Sequence, residues 1–207
     1  MSQQSQREKL KKELCDILTR INALRFGIFT LADDKLSPYY IDLRVVPSFP
    51  AAFTKVEKLY LEVATNDLKL RDVKRIAGIP TAGIPFASVL SFSLNKPFLY
   101  VRSEATHGRE RKVEGILNPG DAVLIVDDLV TTGKTMLAAA DVIRSEGGVV
   151  KEALVLIDRQ EGGCEALEAQ GIQLHSLLLM SEAAKILYQM GAIDKEQLNA
   201  ISKQIIS

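Results

Sequence analysis

Apolar and polar positions along the chain follow first a helical and then a strand-like period. Leu10, Leu14, Ile17, Leu18 and Ile21 recur at helical spacing, which predicts an amphipathic helix near 6–22. Residues 26–31 and 37–44 read as two short strands about a polar turn at 32–35, and so as a hairpin fit to hood a site. Pro47 and Pro50 break the chain before a helix near 51–67. The run 122–126, Ala-Val-Leu-Ile-Val, has no alternation, which suits a strand buried on both faces of a parallel sheet. Runs at 73–79, 97–101 and 149–157 read as its companions. Helices fill the gaps, one reaching Leu94 and another capped by Gly147-Gly148. A helix near 163–170, a strand near 172–179 and helices near 181–190 and 194–205 follow. The alternation predicts an α/β fold, a doubly wound parallel sheet, in a single domain. Residues 1–70 would form the helix and hairpin hood, 71–180 the core sheet, and 181–207 the C-terminal helices.

Composition narrows the class. Lys plus Arg and Asp plus Glu number 26 each in 207 residues, so no bulk field draws nucleic acid or anionic lipid. No apolar run approaches the roughly 20 residues that span a bilayer. The start, MSQQSQREKLKK, lacks the apolar core of a signal peptide, and a cytoplasmic location is expected. Cys15, on an apolar helix face, and Cys164 make neither a disulfide framework nor a zinc site, and read as structural.

The chemistry gathers where the sheet is expected to end. After Val126 come two acids, Asp127 and Asp128, then Leu129, Val130, Thr131, Thr132, Gly133, Lys134 and Thr135, opening into a helix. Such a loop presents unpaired N–H groups and a helix dipole to an anion, and suits a phosphate. The acids would accept hydrogen bonds from hydroxyls or share a divalent cation, so the pair of features points to a sugar phosphate. It is not a P-loop, since no glycine precedes Gly133-Lys134-Thr135 at the required distance. The loop 79–83 offers backbone N–H groups and the Thr81 hydroxyl. Arg102 and His107 stand at the start of a long polar stretch, 103–115, read as a mobile loop without regular structure. Asp158-Arg159 ends a buried strand, where an arginine can take a carboxylate bidentately or pair with a neighbouring acid. Tyr39 and Tyr40 suit hairpin packing or stacking on a planar base. His175, in an apolar strand, reads as structural.

These segments resemble the type I phosphoribosyltransferases, and among them the orotate phosphoribosyltransferases. The stretches that carry the resemblance are FTLADDKLSPYYIDLR, GIPTAGIPFA, VRSEATHGRERKVEG, VLIVDDLVTTGKTM and LIDRQEGG, in the family's order. The resemblance implies transfer of phosphoribosyl from PRPP to orotate, giving orotidine 5′-monophosphate and pyrophosphate in pyrimidine synthesis. It implies that Thr81, Arg102, His107 and the segment from Asp127 to Thr135 bind PRPP, with Arg102, His107, Asp127 and Asp128 as the catalytic set. Thr131 and Arg159 would bind orotate. Magnesium would enter with PRPP, near Asp127 and Asp128 if it touches protein. A homodimer is implied, with loop 103–115 closing over the neighbour's site. The loop departs from the family's Arg-Lys-Glu-x-Lys-x-His-Gly: here it is RSEATHG, one residue shorter and without either lysine, with Arg109, Arg111 and Lys112 nearby. That departure keeps a second reading open, a PRPP-sensing regulator on the same fold that has lost catalysis.

Overall fold

A computed structural model describes residues 3–30, 36–102 and 112–206, without the side chains of Gln3 and Ile206. The chain divides into two compact units, residues 1–59 with 177–207, and residues 60–176.

In the first unit, helix α1 spans Gln3–Arg20, with Leu14, Cys15 and Leu18 fully buried. Strands β1 (Leu24–Thr30) and β2 (Leu36–Ile41) form the expected antiparallel hairpin. The turn between them lies outside the described residues. Along β2 the side chains alternate between buried and more open, as a ribbon packed on one face requires. Tyr39 is fully buried, whereas Tyr40 stays in the hairpin, its ring 5.1 Å from the Arg25 guanidinium. The second strand is shorter than its pattern predicts. Asp42 accepts a hydrogen bond from Arg44 N at 3.2 Å and so caps a 3-10 helix over Leu43–Ser48, which ends the strand at Ile41. Pro47 sits inside that turn. Pro50 opens helix α2 (Pro50–Asp67), whose residues from Tyr60 on belong to the second unit, rather than preceding it, because the first helical position needs no N–H. Helices α6 (Met180–Gln189) and α7 (Lys195–Ile206) belong to this unit too. Buried Lys11 of α1 reaches Glu182 of α6 at 2.6 Å.

The second unit holds the sheet. Its strands are β3 (Arg75–Gly78), β4 (Phe98–Val101), β5 (Val113–Glu114), β6 (Ala122–Val126), β7 (Leu129–Val130), β8 (Val149–Asp158) and β9, which starts here and runs Gln173–Leu179. They lie in the order β5-β4-β3-β6-β8-β7, with β9 also on β8. The pairs β3/β4, β3/β6, β6/β8 and β7/β8 are parallel and β4/β5 is antiparallel. Helices α3 (Gly83–Ser93), α4 (Lys134–Ser145) and α5 (Gly163–Glu168) connect them. The α/β architecture and parallel central sheet agree with the sequence pattern. Leu124, Ile125, Val126 and Leu154 to Leu156 have no exposed surface, which is why their runs carry no alternation. Burying each such side chain contributes about 2–3 kcal/mol. A core of Ala77, Leu99, Ile125, Ala140, Ile143 and Val155 ties sheet to helices.

Two short strands correct the expected loops. Residues 113–114 pair with β4, and Glu146 Oε1 accepts from Lys112 N at 3.1 Å and Val113 N at 3.2 Å, so the end of the 103–115 stretch is ordered by partners distant in sequence. Residues 129–130, inside the acid-threonine segment, pair with Ile157 and Asp158 of β8. Among the described residues no helix is long and apolar enough to cross a membrane.

Candidate active site

The parallel strands β3, β4, β6 and β8 point the same way, so the segments that follow them leave one edge of the sheet. Such edges are where α/β sheets bind ligands. At the centre, Val126 pairs with Gly78, and Ile79 N donates to Val126 O at 3.1 Å. Asp127 and Asp128 follow at 9% and 8% exposure. Asp127 Oδ1 accepts from Asp128 N at 2.9 Å, and Asp128 Oδ1 from Leu129 N at 2.8 Å. Beneath them Tyr60, fully enclosed on α2, donates its hydroxyl to Asp127 O at 2.6 Å. Burial, and then the charge of Asp128, push the Asp127 carboxyl well above the usual carboxylate range; the Asp128 N–H pulls the other way but loses. Two acids are thus kept together against their electrostatic preference.

Past Val130 the chain turns through Thr131 and Thr132 to Gly133, which has φ +74° and precedes α4 without any side-chain cap. The first amides of that helix have no intrahelical acceptor and open toward this edge, the arrangement that receives an anion. Thr132, Lys134 and Thr135 are exposed around it. Thr81, on the neighbouring loop, is also exposed, and the Pro80–Thr81 peptide is cis.

Glycines let the flanking loops approach. A Cβ on Gly83 would lie 2.6 Å from Val126 O and 2.8 Å from Asp127 Oδ1. One on Gly163 would lie 2.5 Å from Thr131 O. No side chain fits at either seam, so both the 79–83 turn and the start of α5 are pressed against the central segment.

The segment after β8 presents Arg159. Val130 pairs with Asp158 and Arg159 N donates to Val130 O at 3.0 Å, which sets Arg159 beside Thr131. The two residues expected to bind orotate are thus brought together. Arg159 is 8% exposed, and its Nη2 lies 2.7 Å from Glu161 Oε1, at angles outside hydrogen-bond geometry. Asp158 Oδ1 accepts from Gln160 N at 2.7 Å and braces Gln160 at φ +59°. Burial raises the Asp158 carboxyl, and the Gln160 N–H partly opposes this.

Arg102 follows β4 directly and pairs through Nη1 with Glu114 Oε1 at 3.0 Å. A cavity of about 360 Å³ brings Arg102, Lys112, Pro80 and Thr135 to one space. His107, with the rest of 103–111, lies outside the described residues. His175 Nε2 sits 2.6 Å from Glu152 Oε2, a structural pairing. Cys15 and Cys164 are free, and burial raises both thiols, to about 12 for Cys15.

A family model for the phosphoribosyl transferase domain matches residues 49–168, which hold all four segments of this edge. An orotate phosphoribosyltransferase from Cenarchaeum symbiosum is 39% identical over 86% of this chain and 90% of its own. The chain belongs to the orotate phosphoribosyltransferase family. The crystal structure of the Aeropyrum pernix orotate phosphoribosyltransferase superposes with a TM-score of 0.73 at 35% identity, covering 86% of this chain and 99% of that one. The UMP synthase of Leishmania donovani aligns at TM-score 0.84 and 34% identity over 94% of this chain, which spans only 42% of that longer protein. Family membership makes this a pentosyltransferase of pyrimidine biosynthesis, and the regulator reading finds no support among these relatives.

The family's motif residues were legible in the sequence, but their supports were not. Tyr60 stands 67 residues before the carbonyl it holds and carries no local signal. Gly83 and Gly163 stood in the quoted motifs without any sign of what they touch. The alternative of an ion pair from Arg159 to a neighbouring acid was open in the sequence, but not that Glu161 is that acid or that Gln160 takes a positive φ to bring it there.

Proposed function

We propose that this chain transfers the phosphoribosyl group of PRPP to orotate, forming orotidine 5′-monophosphate and pyrophosphate. The observation that carries the site assignment is the juxtaposition at one sheet edge of a buried acid pair, an uncapped helix start and a buried arginine one step from Thr131. In this reading Asp127 and Asp128 accept hydrogen bonds from the ribose hydroxyls. The backbone and hydroxyls from Leu129 to Thr135, with Lys134, hold the 5′-phosphate. Thr81, Arg102 and His107 face the pyrophosphate, and Arg159 pairs with the orotate carboxylate beside Thr131.

The reaction breaks the bond from the anomeric carbon to the pyrophosphate oxygen, which keeps the electron pair. A bond from that carbon to the orotate ring nitrogen forms, and the proton that nitrogen carried leaves to the departing pyrophosphate or to solvent. Positive charge builds on the sugar in between, as in glycoside hydrolysis. The acids lie where such charge is stabilised, and cationic side chains neutralise the leaving group. No protein nucleophile is required. Alignment of the nitrogen by Arg159 and Thr131 supplies the proximity term, and loop 103–115 excludes water, closing over the partner's site in a cytoplasmic homodimer.

Among the described residues no cluster of three or more His, Cys, Asp or Glu could hold a metal alone. The adjacent acids fit an ion that arrives with PRPP and is shared with them. When bound, magnesium neutralises charge on the pyrophosphate.

Loss of orotate absorbance in the presence of PRPP and Mg²⁺ tests the activity. Turnover is expected; its absence at high enzyme concentration, with PRPP still bound, would refute the proposal. Arg159→Ala is expected to raise the KM for orotate far more than that for PRPP, and equal loss of both would remove Arg159 from the orotate site.

A further inference from the structure

The segment after β8 already contains a carboxylate for Arg159. Glu161 is two residues on, and its Oε1 lies 2.7 Å from Arg159 Nη2. The backbone is built to return it there. Gln160 at φ +59° and Gly162 at φ +88° flank Glu161, so the chain reverses and brings Glu161 back over the guanidinium. At Gly162 an added Cβ would meet nothing within 4 Å, so glycine serves there for its backbone angle alone. Asp158 holds the reversal through Gln160 N. The Arg159 side chain is only 10% exposed, and a buried guanidinium is costly without an anion. The Glu161 side chain is 24% exposed, which leaves it a path to water when displaced.

We propose that Glu161 is an internal competitor for orotate, a carboxylate that neutralises Arg159 in the empty site and is exchanged for the carboxylate of the incoming pyrimidine. The inference rests on the assignment of Arg159 to orotate. The exchange is one anion for another at one cation, so no proton or electron moves. Its geometry favours exchange, because the 2.7 Å contact lies outside hydrogen-bond angles and a planar carboxylate facing the fork improves on it. A ligand carrying an anion replaces the ion pair lost when Glu161 is displaced, whereas a neutral pyrimidine ring does not. Glu161 therefore tunes affinity and favours carboxylate-bearing bases without touching the reacting atoms.

The test is steady-state kinetics of the full chain with Glu161→Gln, and with Glu161→Asp as a variant that keeps the charge but shortens its reach. Glu161→Gln is expected to lower the orotate KM about three- to tenfold, the range of a partly exposed ion pair. The KM for PRPP should stay unchanged and kcat should move less than the orotate KM. Glu161→Asp should fall between wild type and Glu161→Gln. If Glu161 merely aligns Arg159, the orotate KM rises in Glu161→Gln; that result, or an unchanged KM in both variants, overturns the proposal. Arg159→Ala, measured alongside, separates the two claims. If it loses orotate selectively while Glu161→Gln changes nothing, the competitor role fails and the orotate site stands. If it loses orotate and PRPP equally, the site assignment itself fails.

Discussion

Asp127 shows how one side chain is held at a cost. Its carboxyl is raised by burial and by Asp128, so the folded chain retains a proton that the unfolded chain releases near pH 4. Below that pH both states are neutral there and nothing is lost. As pH rises toward the elevated folded value, the unfolded state binds fewer protons than the folded one, and stability falls. Asp127→Asn keeps an oxygen for the Asp128 N–H and removes the charge. It is expected to raise Tm by about 2–6 °C at pH 8, with a smaller gain at pH 4, while weakening PRPP binding. Thermal melts at both values, with PRPP calorimetry, check this; an equal gain at both would show that the charge is not the cause. Gln160 is a second case. Gln160→Gly relieves a left-handed residue and should stabilise the fold by up to about 1 kcal/mol, measured by urea unfolding. It also loosens the segment that aims Arg159, so the orotate KM is expected to rise.

Between elements, contact surfaces do what single residues cannot. Gly163 joins the start of α5 to the segment that leads into α4, and Gly83 does the same from α3. Gly163→Ala drives a methyl into the Thr131 carbonyl, and is expected to cost about 1–3 kcal/mol by urea unfolding. Because the proposed site sets Thr131 at both ligands, the KM for PRPP and that for orotate should rise together, in contrast to Arg159→Ala. In the first unit the junction is electrostatic. Glu182 accepts from Leu179 N at 3.1 Å, capping α6, and also pairs with Lys11 of α1. Burial alone would lower the Lys11 ammonium, but Glu182 and then Glu8 outweigh it and raise it. Glu182→Ala should cost about 1–2 kcal/mol, mostly the cap, since the pair is partly exposed and screened. The elements themselves were legible from periodicity. Their ends were not, because Asp42 capping and the pairing of 113–114 and 129–130 depend on partners that no local pattern names.

At the scale of the whole molecule, the proposed dimer makes a prediction that one chain cannot. If loop 103–115 serves the neighbour's site, deleting 104–110 should abolish turnover and spare PRPP binding. Mixing that variant with Arg159→Ala, assayed at orotate near the wild-type KM where Arg159→Ala alone turns over little, should then restore about a quarter of wild-type activity, since half the dimers are mixed and each of those carries one intact site. Activity that stays at zero after subunit exchange would place the loop over its own site.

The sequence alone determined the kinds of element, the parallel sheet, and the acid-threonine segment suited to a phosphorylated sugar. Each of these follows from short-range periodicity or from residue chemistry at close spacing. Tertiary structure decided that the acids would be buried over Tyr60, that Arg159 would lie beside Thr131 through the register of β7 on β8, and that Glu161 would reach Arg159. It also decided which glycines are irreplaceable. The first two depend on strand register and on how closely backbones approach, and contacts between distant parts of a chain leave no period in it to read; the third depends on the positive φ of Gln160 and Gly162, which residue type alone does not fix.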